Sequence, residues 1–462
     1  MRKNIVLKTV VLLAGIVILL PAQTWTIEQV TDNTESDKYP FVTRVSSGLM
    51  VVYDHNDGDG EIFVASNSSG SWVTSRVTDN SCEEIGLDIT SMPASDDVHI
   101  AHWWIDTPDE EISYTSGNTS GWNTERVTDN ADEDEYPSIE VDKNGFVHMV
   151  FQRMTGGDYE IFYANNVTGS WISEQVTDNA TNDESPWLAL DTDGNPHIVY
   201  TNSMDLIYTT KTAGIWTSPD VIVGGCGINS YPYLVTDADD YVHVIYSKND
   251  GADEEIYYAN NVTGSWQEAK VTSNDYDDAC PILFIDPAKK AHIAYMTIEP
   301  TDAEMFYANN TAGVWDFSRI TDNSVHDNVL LGCYFITDAL GYGNIFFWNV
   351  SDGDDEIYVA RSNTPIIAGI EETHPVCEPI SINVERGLPS SATTINFTIP
   401  KAGFVTLKVY DASGSLVNTL VDGKKREGEH RITWDGTRIN AGIYFLHITS
   451  GRLTDCQKII VR

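Results

Sequence analysis

The sequence has 462 residues, enough for more than one domain, and carries 69 Asp and Glu against 27 Lys and Arg, for a formal net charge of −42. A surface of this sign repels polyanions, which excludes nucleic acids and anionic membranes as favourable partners. The charge is unevenly divided, because residues 24–379 hold 62 acidic and 13 basic side chains whereas residues 380–462 hold 7 and 11. The strongly acidic part of the chain therefore ends near residue 380.

Residues 1–22 predict a secretory signal peptide. Basic residues precede an apolar stretch, Val10–Leu20, which is followed by Ala22. The stretch is too short for a comfortable membrane span, and no stop-transfer pattern follows it. We expect cleavage near Ala22 and a secreted or cell-surface protein whose mature form does not insert into a membrane.

Tryptophans recur along the acidic part at steps of 45 to 50 residues. They are Trp25, Trp72, Trp122, Trp171, Trp216, Trp266 and Trp315. A period of this length predicts a repeat architecture. Residues present in every unit are expected to hold the units together, and we expect these tryptophans to pack one unit against the next.

Each unit carries four short strand signals. In the third unit they are TERVT, PSIEVD, FVHMVFQ and EIFYANN, separated by Asp, Asn and Gly turns. Four strands in each unit are typical of a propeller blade. A strand signal follows Trp25 before the first full unit, and none follows the last EIYVA, so we expect the N-terminal strand to complete the last blade and remove the open edges. The sequence thus predicts an all-β fold with a seven-bladed β-propeller over residues 23–362.

The repeat stops near residue 363, and residues 363–379 are a predicted linker. Residues 380–462 show strand signals separated by Gly, Asp and Asn turns, which predict a small Ig-like β-sandwich. The run IPKAGFVTLKVYDASGSLVNTL, then WDG, AGIYF and the terminal KIIVR, resembles the FlgD-like Ig sorting domain of bacterial type IX secretion substrates. The resemblance implies export by that secretion machinery, followed by surface attachment or release.

Acidic loops are expected to share one face of the propeller, around the mouth of its channel. Carboxylates held together on loops suit oxygen-seeking cations such as calcium. The candidate metal ligands lie in HNDGDGE, NDGADEE and SDGDDE and are Asp57, Asp59, Glu61, Asp250, Asp253, Asp352 and Asp354. The alternative is that these loops are solvated turns.

Two sets of polar residues recur and are interpreted as structural. An acid opens the EIY strand of all seven units, which favours a role such as accepting backbone N–H bonds. These acids are Glu61, Glu111, Glu160, Asp205, Glu255, Glu304 and Glu356. Five units also share a histidine, whereas catalysis needs one histidine with a specific partner. These histidines are His99, His148, His197, His243 and His292.

Tryptophans outside the repeat are the candidate ligand contacts. Trp103, Trp104, Trp187 and Trp348 are expected to lie toward the acidic face, where aromatic rings beside carboxylates suit a neutral sugar. Arg153 occupies the position equivalent to Trp104 and is a rare cation there. The alternative for these residues is packing between blades.

The turn before each repeated tryptophan resembles a known hairpin. NVTGSW at 166–171 and 261–266 and NSSGSW at 67–72 are similar to the Ser-x-Asp-x-Gly-x-x-Trp hairpin of sialidase-like Asp-box propellers, with the Asp missing. Sialidase activity is not expected, since that chemistry holds a substrate carboxylate with three arginines. Of the six propeller arginines, Arg76, Arg126 and Arg319 precede repeated TDN runs and are interpreted as surface strand positions.

Six cysteines in an exported chain allow fifteen pairings. Cys377 and Cys456 could join the first and last strands of the Ig-like domain. The remaining four either bridge neighbouring blades or stay as buried thiols, and they are Cys82, Cys226, Cys280 and Cys333.

Two functions from different classes are compatible with these patterns. The favoured one is a non-catalytic binding or scaffold propeller that presents its acidic loop face to a glycan or an extracellular protein. The alternative is a carbohydrate-active hydrolase or lyase that uses two carboxylates at the channel mouth. No nucleotide loop, zinc motif or serine–histidine set occurs in the sequence, and no unit breaks the repeat with a catalytic constellation.

Overall fold

The computed structural model describes most of the chain from residue 23 onward, and the predicted signal peptide lies outside the described residues. The described residues are 23–56, 58, 60–80, 82–92, 95–106, 109–226, 231–329, 334–350, 353–367, 381–385, 393–399, 403–411, 416–426, 428–434, 442–450 and 453–461. The chain divides between residues 368 and 369 into two compact units. No helix occurs among the described residues, so none there is long and apolar enough to cross a membrane.

Seven antiparallel sheets form the first unit, and each is one blade of a propeller. Strand β1 (Trp25–Gln29) precedes the first full blade. Blades one to three contain β2 (Ser36–Val45), β3 (Gly48–Asn56), β4 (Gly60–Ser66), β5 (Val73–Arg76), β6 (Glu83–Ser91), β7 (Val98–Asp106), β8 (Asp109–Asn118), β9 (Gly121–Arg126), β10 (Asp134–Val141), β11 (Val147–Thr155), β12 (Asp158–Asn165) and β13 (Ile172–Gln175).

Blades four to seven repeat this plan with small variations. Their strands are β14 (Asp183–Leu190), β15 (Pro196–Asn202), β16 (Asp205–Thr212), β17 (Ile215–Trp216), β18 (Asp220–Val223), β19 (Tyr233–Thr236), β20 (Val242–Asn249), β21 (Glu254–Asn260), β22 (Gln267–Lys270), β23 (Asp277–Ile285), β24 (Ala291–Ile298), β25 (Ala303–Asn309), β26 (Asp316–Arg319), β27 (Asp327–Asn328), β28 (Phe335–Thr337), β29 (Gly343–Val350) and β30 (Asp355–Ser362). In blade four both β17 and β18 pair with β16, and in blade seven both β27 and β28 pair with β29.

The N-terminal strand closes the ring. Strand β1 pairs antiparallel with β30, with Trp25 opposite Ser362, and so becomes the outermost strand of blade seven. The indole Nε1 of Trp25 donates to Ser318 Oγ at 3.3 Å, and its ring lies edge-on to Tyr307 with 5.2 Å between ring centroids. The predicted seven-bladed propeller with circular closure is confirmed.

The repeated tryptophans pack each blade against the one before it. In six blades the indole meets an aromatic ring of the preceding blade at 5.2–5.9 Å; the pairs are Trp25–Tyr307, Trp72–Phe346, Trp171–Tyr114, Trp216–Tyr163, Trp266–Tyr208 and Trp315–Tyr258. All five tyrosines in these pairs also hydrogen-bond the recurring histidines through Nδ1 at 2.5–2.6 Å. The histidine fixes the tyrosine that receives the next tryptophan, which confirms the structural interpretation of both sets.

The recurring acid at the start of each EIY strand is also structural. In blade six the backbone N–H of Asn323 donates to Glu304 Oε1 at 2.9 Å, and Asn323 Nδ2 donates to the buried Asp327 at 2.6 Å. The equivalent backbone bond is 2.5–3.1 Å long in the other six blades. The acid therefore fixes the loop that leads into the next inner strand, as the sequence predicted.

The described start of the predicted linker packs on the propeller. Ile366 and Ile367 are buried against blade seven, and the N–H of Ile366 donates to Gly341 O at 2.8 Å.

The second unit is a β-sandwich. Its strands are β31 (Ser381–Glu385), β32 (Thr393–Ile399), β33 (Gly403–Asp411), β34 (Leu416–Lys425), β35 (Gly428–Trp434), β36 (Gly442–Ser450) and β37 (Leu453–Val461). They form two sheets, in the orders β31-β32-β35 and β34-β33-β36-β37. Phe397 and Trp434 from the first sheet share one core with Leu407 and Leu446 from the second.

Candidate functional site

The inner strands of five blades share a strained bulge. In β2 the register shifts between Lys38 and Phe41, which leaves two residues without ladder partners. One residue at each bulge has a left-handed φ of 40–63°, a conformation that costs a residue with a side chain about 1–2 kcal/mol. In blades one to four and six these residues are Tyr39, Gly86, Tyr136, Ser185 and Cys280, and in blade five Tyr231 adopts the same conformation just before β19, without a register shift.

A proline follows the left-handed residue in five of these six blades, and Leu87 takes its place in blade two. Proline has no N–H to give to a ladder, so it belongs at a bulge and not inside a central strand. Backbone strain of this kind persists only where the surrounding structure enforces it, and it concentrates at functional sites. Five related bulges and the similar left-handed residue of blade five are therefore a candidate functional feature.

The bulges enclose a cavity of about 410 Å³ that is lined by residues from all seven blades. Eight aromatic side chains contribute to its wall: Tyr39, Phe41, Trp103, Tyr136, Trp187, Tyr231, Tyr233 and Tyr334. A cavity of this size and composition falls within the range of small-molecule sites in proteins.

Three aromatic pairs bridge neighbouring blades around the cavity. Trp103 in blade two meets Tyr136 in blade three at 5.0 Å between ring centroids, and Trp187 in blade four meets Tyr233 in blade five at 4.6 Å. The third pair joins Trp348 in blade seven to Tyr39 in blade one at 5.0 Å. In the remaining sector, the hydroxyl of Tyr334 donates to the carbonyl of Cys280. The wall is thus both the joint between blades and the surface of the cavity.

Carboxylates lie beside part of the cavity wall without entering it. The described lining residues include no charged side chain and no amide side chain. Burial raises the pKa of Tyr136, and the nearby carboxylates of Glu135, Glu110 and Glu184 raise it further. Burial, followed by the Glu110 carboxylate, raises the pKa of Glu135 to about 7. The acidic loops therefore place negative charge at the rim of an aromatic cavity.

The predicted ligand contacts divide between two faces of the blades. Trp103 and Trp187 lie in the cavity wall, and Trp348 is buried directly beside Tyr39. Trp104 lies outside the lining, with the Arg126 guanidinium 5.4 Å from the centroid of its ring. This separation follows from strand geometry, because adjacent residues in a strand point to opposite faces.

Arg153 also lies outside the lining. Its Nε and the Asp134 Oδ1 atom are 2.5 Å apart, and its guanidinium lies 4.3 Å from the centroid of the Phe162 ring. Both the charge and the planar face of this arginine are thus used within blade three.

The candidate metal ligands are only partly described. Asp57, Asp59 and Asp352 lie outside the described residues, Asp354 is half-buried, and Glu61 is buried against Arg76 at 2.7 Å.

The remaining two candidates meet a third acid. Asp250 and Asp253 converge with Glu255 so that one oxygen of each lies within 4.8 Å of the others. However, Lys270 Nζ lies 2.6 Å from Asp250 and 3.1 Å from Glu255. These carboxylates do not fit a calcium site as they stand, because an ion would have to displace the ammonium group.

The sequence did not single out the tyrosines of the cavity, although it contained a usable signal. The dipeptides Tyr-Pro, Ser-Pro and Cys-Pro recur where each inner strand begins, and a proline inside a central strand marks a bulge. The aromatic residues at these bulges stand about 50 residues apart and meet only when the ring closes. Of the cysteines, Cys280 is a free buried thiol, whereas Cys333 and Cys377 lie outside the described residues.

Residues 383–452 match the FlgD Ig-like domain family, within the second unit. The match supports the Ig-like part of the sequence interpretation. No curated protein matches the sequence.

Several solved propeller structures are similar to this chain in fold. An ulvan lyase solved with a bound saccharide is 10% identical, covers 70% of this chain and 93% of its own, and has a TM-score of 0.47. The lectin of Aleuria aurantia in complex with α-methyl-L-fucoside is 11% identical, with 63% and 97% covered and a TM-score of 0.41. PorZ, a surface component of the type IX secretion system of Porphyromonas gingivalis, is 9% identical, with 92% and 70% covered and a TM-score of 0.36. The functions of these proteins do not transfer to this chain at such identities and scores.

Proposed function

We propose that this protein is an exported binding or scaffold propeller that holds a glycan or an extracellular protein at its central aromatic cavity. The observation that carries the proposal is the wall of eight aromatic side chains, drawn from blades that otherwise repeat one plan. A cavity open to solvent and lined by large aromatic rings offers much apolar contact area at low conformational cost.

The cavity breaks the symmetry of the repeat, which supports recognition of one particular ligand. The left-handed position is Tyr in three blades, Gly in one, Ser in one and Cys in one. Trp187 occurs in a single blade at its position, and the position of Trp103 holds a tryptophan in only one other blade, as Trp348. The histidines and acids that hold the blades together recur instead. Side chains at the axis that differ from blade to blade are not required by the repeat, and they are therefore available to bind a ligand.

The FlgD Ig-like domain supports a role in export. We propose that it directs the chain through the secretion machinery to the cell surface or the medium, as its resemblance to sorting domains implies. A chain ending at residue 379 is then expected to remain in the cell envelope, whereas the full chain is exported; equal export of both would contradict this role.

Kinship with sialidase-like Asp-box propellers is part of the same proposal. The turn in question joins the third and fourth strands of a blade; in blade three it contains Gly169, whose φ is 86° and whose N–H donates to Asn166 O at 2.8 Å.

One observation favours a catalytic alternative. Glu135 has a pKa near 7 because of burial and the adjacent Glu110, and a carboxyl group of that kind can serve as a general acid. A glycan hydrolase would release products from a neutral polysaccharide, and a lyase from one that contains uronic acids; in either case Glu135→Gln would abolish release while leaving binding intact. No product from any bound polysaccharide would eliminate this alternative.

The binding proposal is tested by a matched pair of tyrosine variants in the full mature chain. Tyr136 in the cavity wall is 39% exposed, and Tyr276 on an acidic loop of blade six is 40% exposed. On an array of neutral glycans and extracellular proteins, Tyr136→Ala should weaken retention roughly 30-fold, since an aromatic anchor contributes about 2 kcal/mol. Tyr276→Ala should leave retention unchanged.

Equal effects of the two substitutions would contradict a site in the cavity. Repeating the array with calcium and with a chelator tests the metal prediction separately. Calcium-dependent retention that is lost on Asp253→Asn would support a metal role for the Asp250 loop despite Lys270; calcium-independent retention would remove it.

A further inference from the structure

The cavity wall restricts the charge of the group it can hold. Its polar side-chain groups are the tyrosine hydroxyls, the indole N–H groups of Trp103 and Trp187, Ser185 and Cys280, and no described lining residue offers a carboxylate, an amide or a cation. The Tyr334 hydroxyl already donates to Cys280 O, so a neutral glycan would be held there mainly by contact with the rings and would have few fixed hydrogen-bond partners. An anion would be repelled by the acidic propeller.

We propose that the central cavity binds an organic cation, the alkylammonium or guanidinium end of its ligand, against the faces of its aromatic rings. This inference rests on the proposed function and specifies the chemistry of the ligand. A cation is attracted to the face of an aromatic ring when it lies within about 6 Å of the centroid. The same attraction strengthens where the surrounding rings exclude water from the cation.

The arrangement of the rings suits a single cation at the axis. The Trp103–Tyr136 pair spans blades two and three, and the Trp187–Tyr233 pair spans blades four and five. Tyr39, supported from behind by Trp348, faces the cavity from blade one. A small cation at the centre would therefore be surrounded by aromatic rings from several directions.

The surrounding charges complement a cation. Glu110, Glu135 and Glu184 lie close enough to Tyr136 to raise its pKa, and Glu254 acts on the pKa of Tyr231 in the same direction. In both cases burial of the phenol is the larger cause. None of these acids lies in the cavity wall, so they attract a cation to its mouth while the rings make the contact. Glu135, whose pKa is about 7, contributes only when it is ionised.

Lys38 is the basic residue adjacent in sequence to the cavity lining, and its charge does not cancel the negative charge of the rim acids. Lys38 precedes Tyr39, and its ammonium group lies 2.9 Å from Asp355. Its charge is therefore already matched by a carboxylate within the fold. An incoming cation meets the rim acids without a competing positive charge from this position.

The test compares charged probes with neutral probes of the same shape, using the full mature chain. Choline is compared with 3,3-dimethylbutan-1-ol, in which carbon replaces the charged nitrogen. Trilysine is compared with the same peptide acetylated on every Nε, which represents a protein source of the cation. Binding is followed by calorimetry and by tryptophan fluorescence. We expect at least one charged probe to bind roughly 10-fold or more tightly than its neutral partner, as a desolvated cation–π contact permits.

Conservative variants separate the aromatic face from the hydroxyl group. Tyr136→Phe keeps the ring and should keep cation binding, whereas Tyr136→Leu should weaken it several-fold. Tyr276→Leu is the control for a tyrosine outside the cavity. Circular dichroism of each variant confirms that the fold is retained.

The outcomes distinguish this inference from the proposed function. Binding of choline but not trilysine indicates a small-molecule source of the cation, and the reverse indicates a protein source; either supports the inference. Equal binding of charged and neutral probes, or no probe binding alongside Tyr136-dependent retention of a neutral glycan, overturns the cation and leaves the cavity as the binding site. No probe binding together with no effect of Tyr136→Ala on the array overturns both.

Discussion

Gly86 is the position where a single methyl group should disturb the cavity wall most. A Cβ atom at Gly86 would lie 1.2 Å from Cζ3 and 1.9 Å from Cη2 of Trp103. Trp103 is only 6% exposed, and its ring pairs with Tyr136 across the blade boundary. The indole therefore has to move for Gly86→Ala to be accommodated, and the Trp103–Tyr136 pair has to separate.

The magnitude of this effect has two parts. Gly86 has a φ of 63°, and placing alanine in this left-handed region costs about 1–2 kcal/mol. Forcing a packed side chain from its place adds about 1–3 kcal/mol. Gly169 is a matched control, because it has a φ of 86° and a Cβ atom at this position would meet nothing within 4 Å. Gly169→Ala should therefore show only the first part.

Urea unfolding followed by tryptophan fluorescence measures the two variants against the natural protein. We expect Gly86→Ala to lower the free energy of unfolding by about 1–3 kcal/mol more than Gly169→Ala does. In a protein that already carries Trp103→Ala, Gly86→Ala should cost little more than Gly169→Ala does, since Gly86→Ala and Trp103→Ala act on one contact. Equal losses for the two glycine variants, or strict additivity with Trp103→Ala, would refute the proposed packing of the cavity wall.

Three further predictions concern closure, loop fixation and pH. Thr31→Val removes the hydroxyl that donates to Glu356 Oε2 at 2.5 Å across the closing blade, and should lower the stability measured in urea by about 1–2 kcal/mol; no change would argue against closure through this segment. Asn323→Ala leaves the buried Asp327 with one fewer donor and should cost about 1–3 kcal/mol in the same assay. Burial raises the pKa of Glu140 to about 8, so the folded protein holds this proton more tightly than the unfolded chain does. The contribution of Glu140 to stability should therefore fall as pH rises from about 4.5 to about 8. Glu140→Gln should flatten the decline of the thermal midpoint between about pH 6 and about pH 8.5. Parallel pH profiles of the variant and the natural protein would contradict a raised pKa at Glu140.

The fold could be predicted from the sequence because its determinants are local and repeated. Each unit contains alternating strands, turn residues and a tryptophan, so the blade follows from a stretch of about 50 residues. Closure followed from counting strands, since the strand at Trp25 had no other partner. The roles of the histidines and of the acids followed from their presence in nearly every unit, which marks residues that serve the repeat itself.

The site was harder to predict because its residues are related only through closure. Trp103 and Trp104 are adjacent in sequence, yet the strand period of two sends only Trp103 into the cavity wall. Tyr136 looks like an ordinary loop residue until its left-handed backbone and the following proline are recognised as a bulge. The Lys270 ammonium likewise joins Asp250, in the loop after β20, to Glu255 in β21. Sequence shows which acids are present, and only the fold shows which of them are already matched.

A crystal structure of the full mature chain with a bound ligand would test most directly whether the central cavity is the binding site. The ligand would be one whose retention depends on Tyr136 in the array experiment. We predict that it lies among Tyr136, Trp187 and Tyr233, with a cationic group facing the rings. A ligand bound between outer strands, or on the Asp250 loop with the cavity empty, would contradict this assignment.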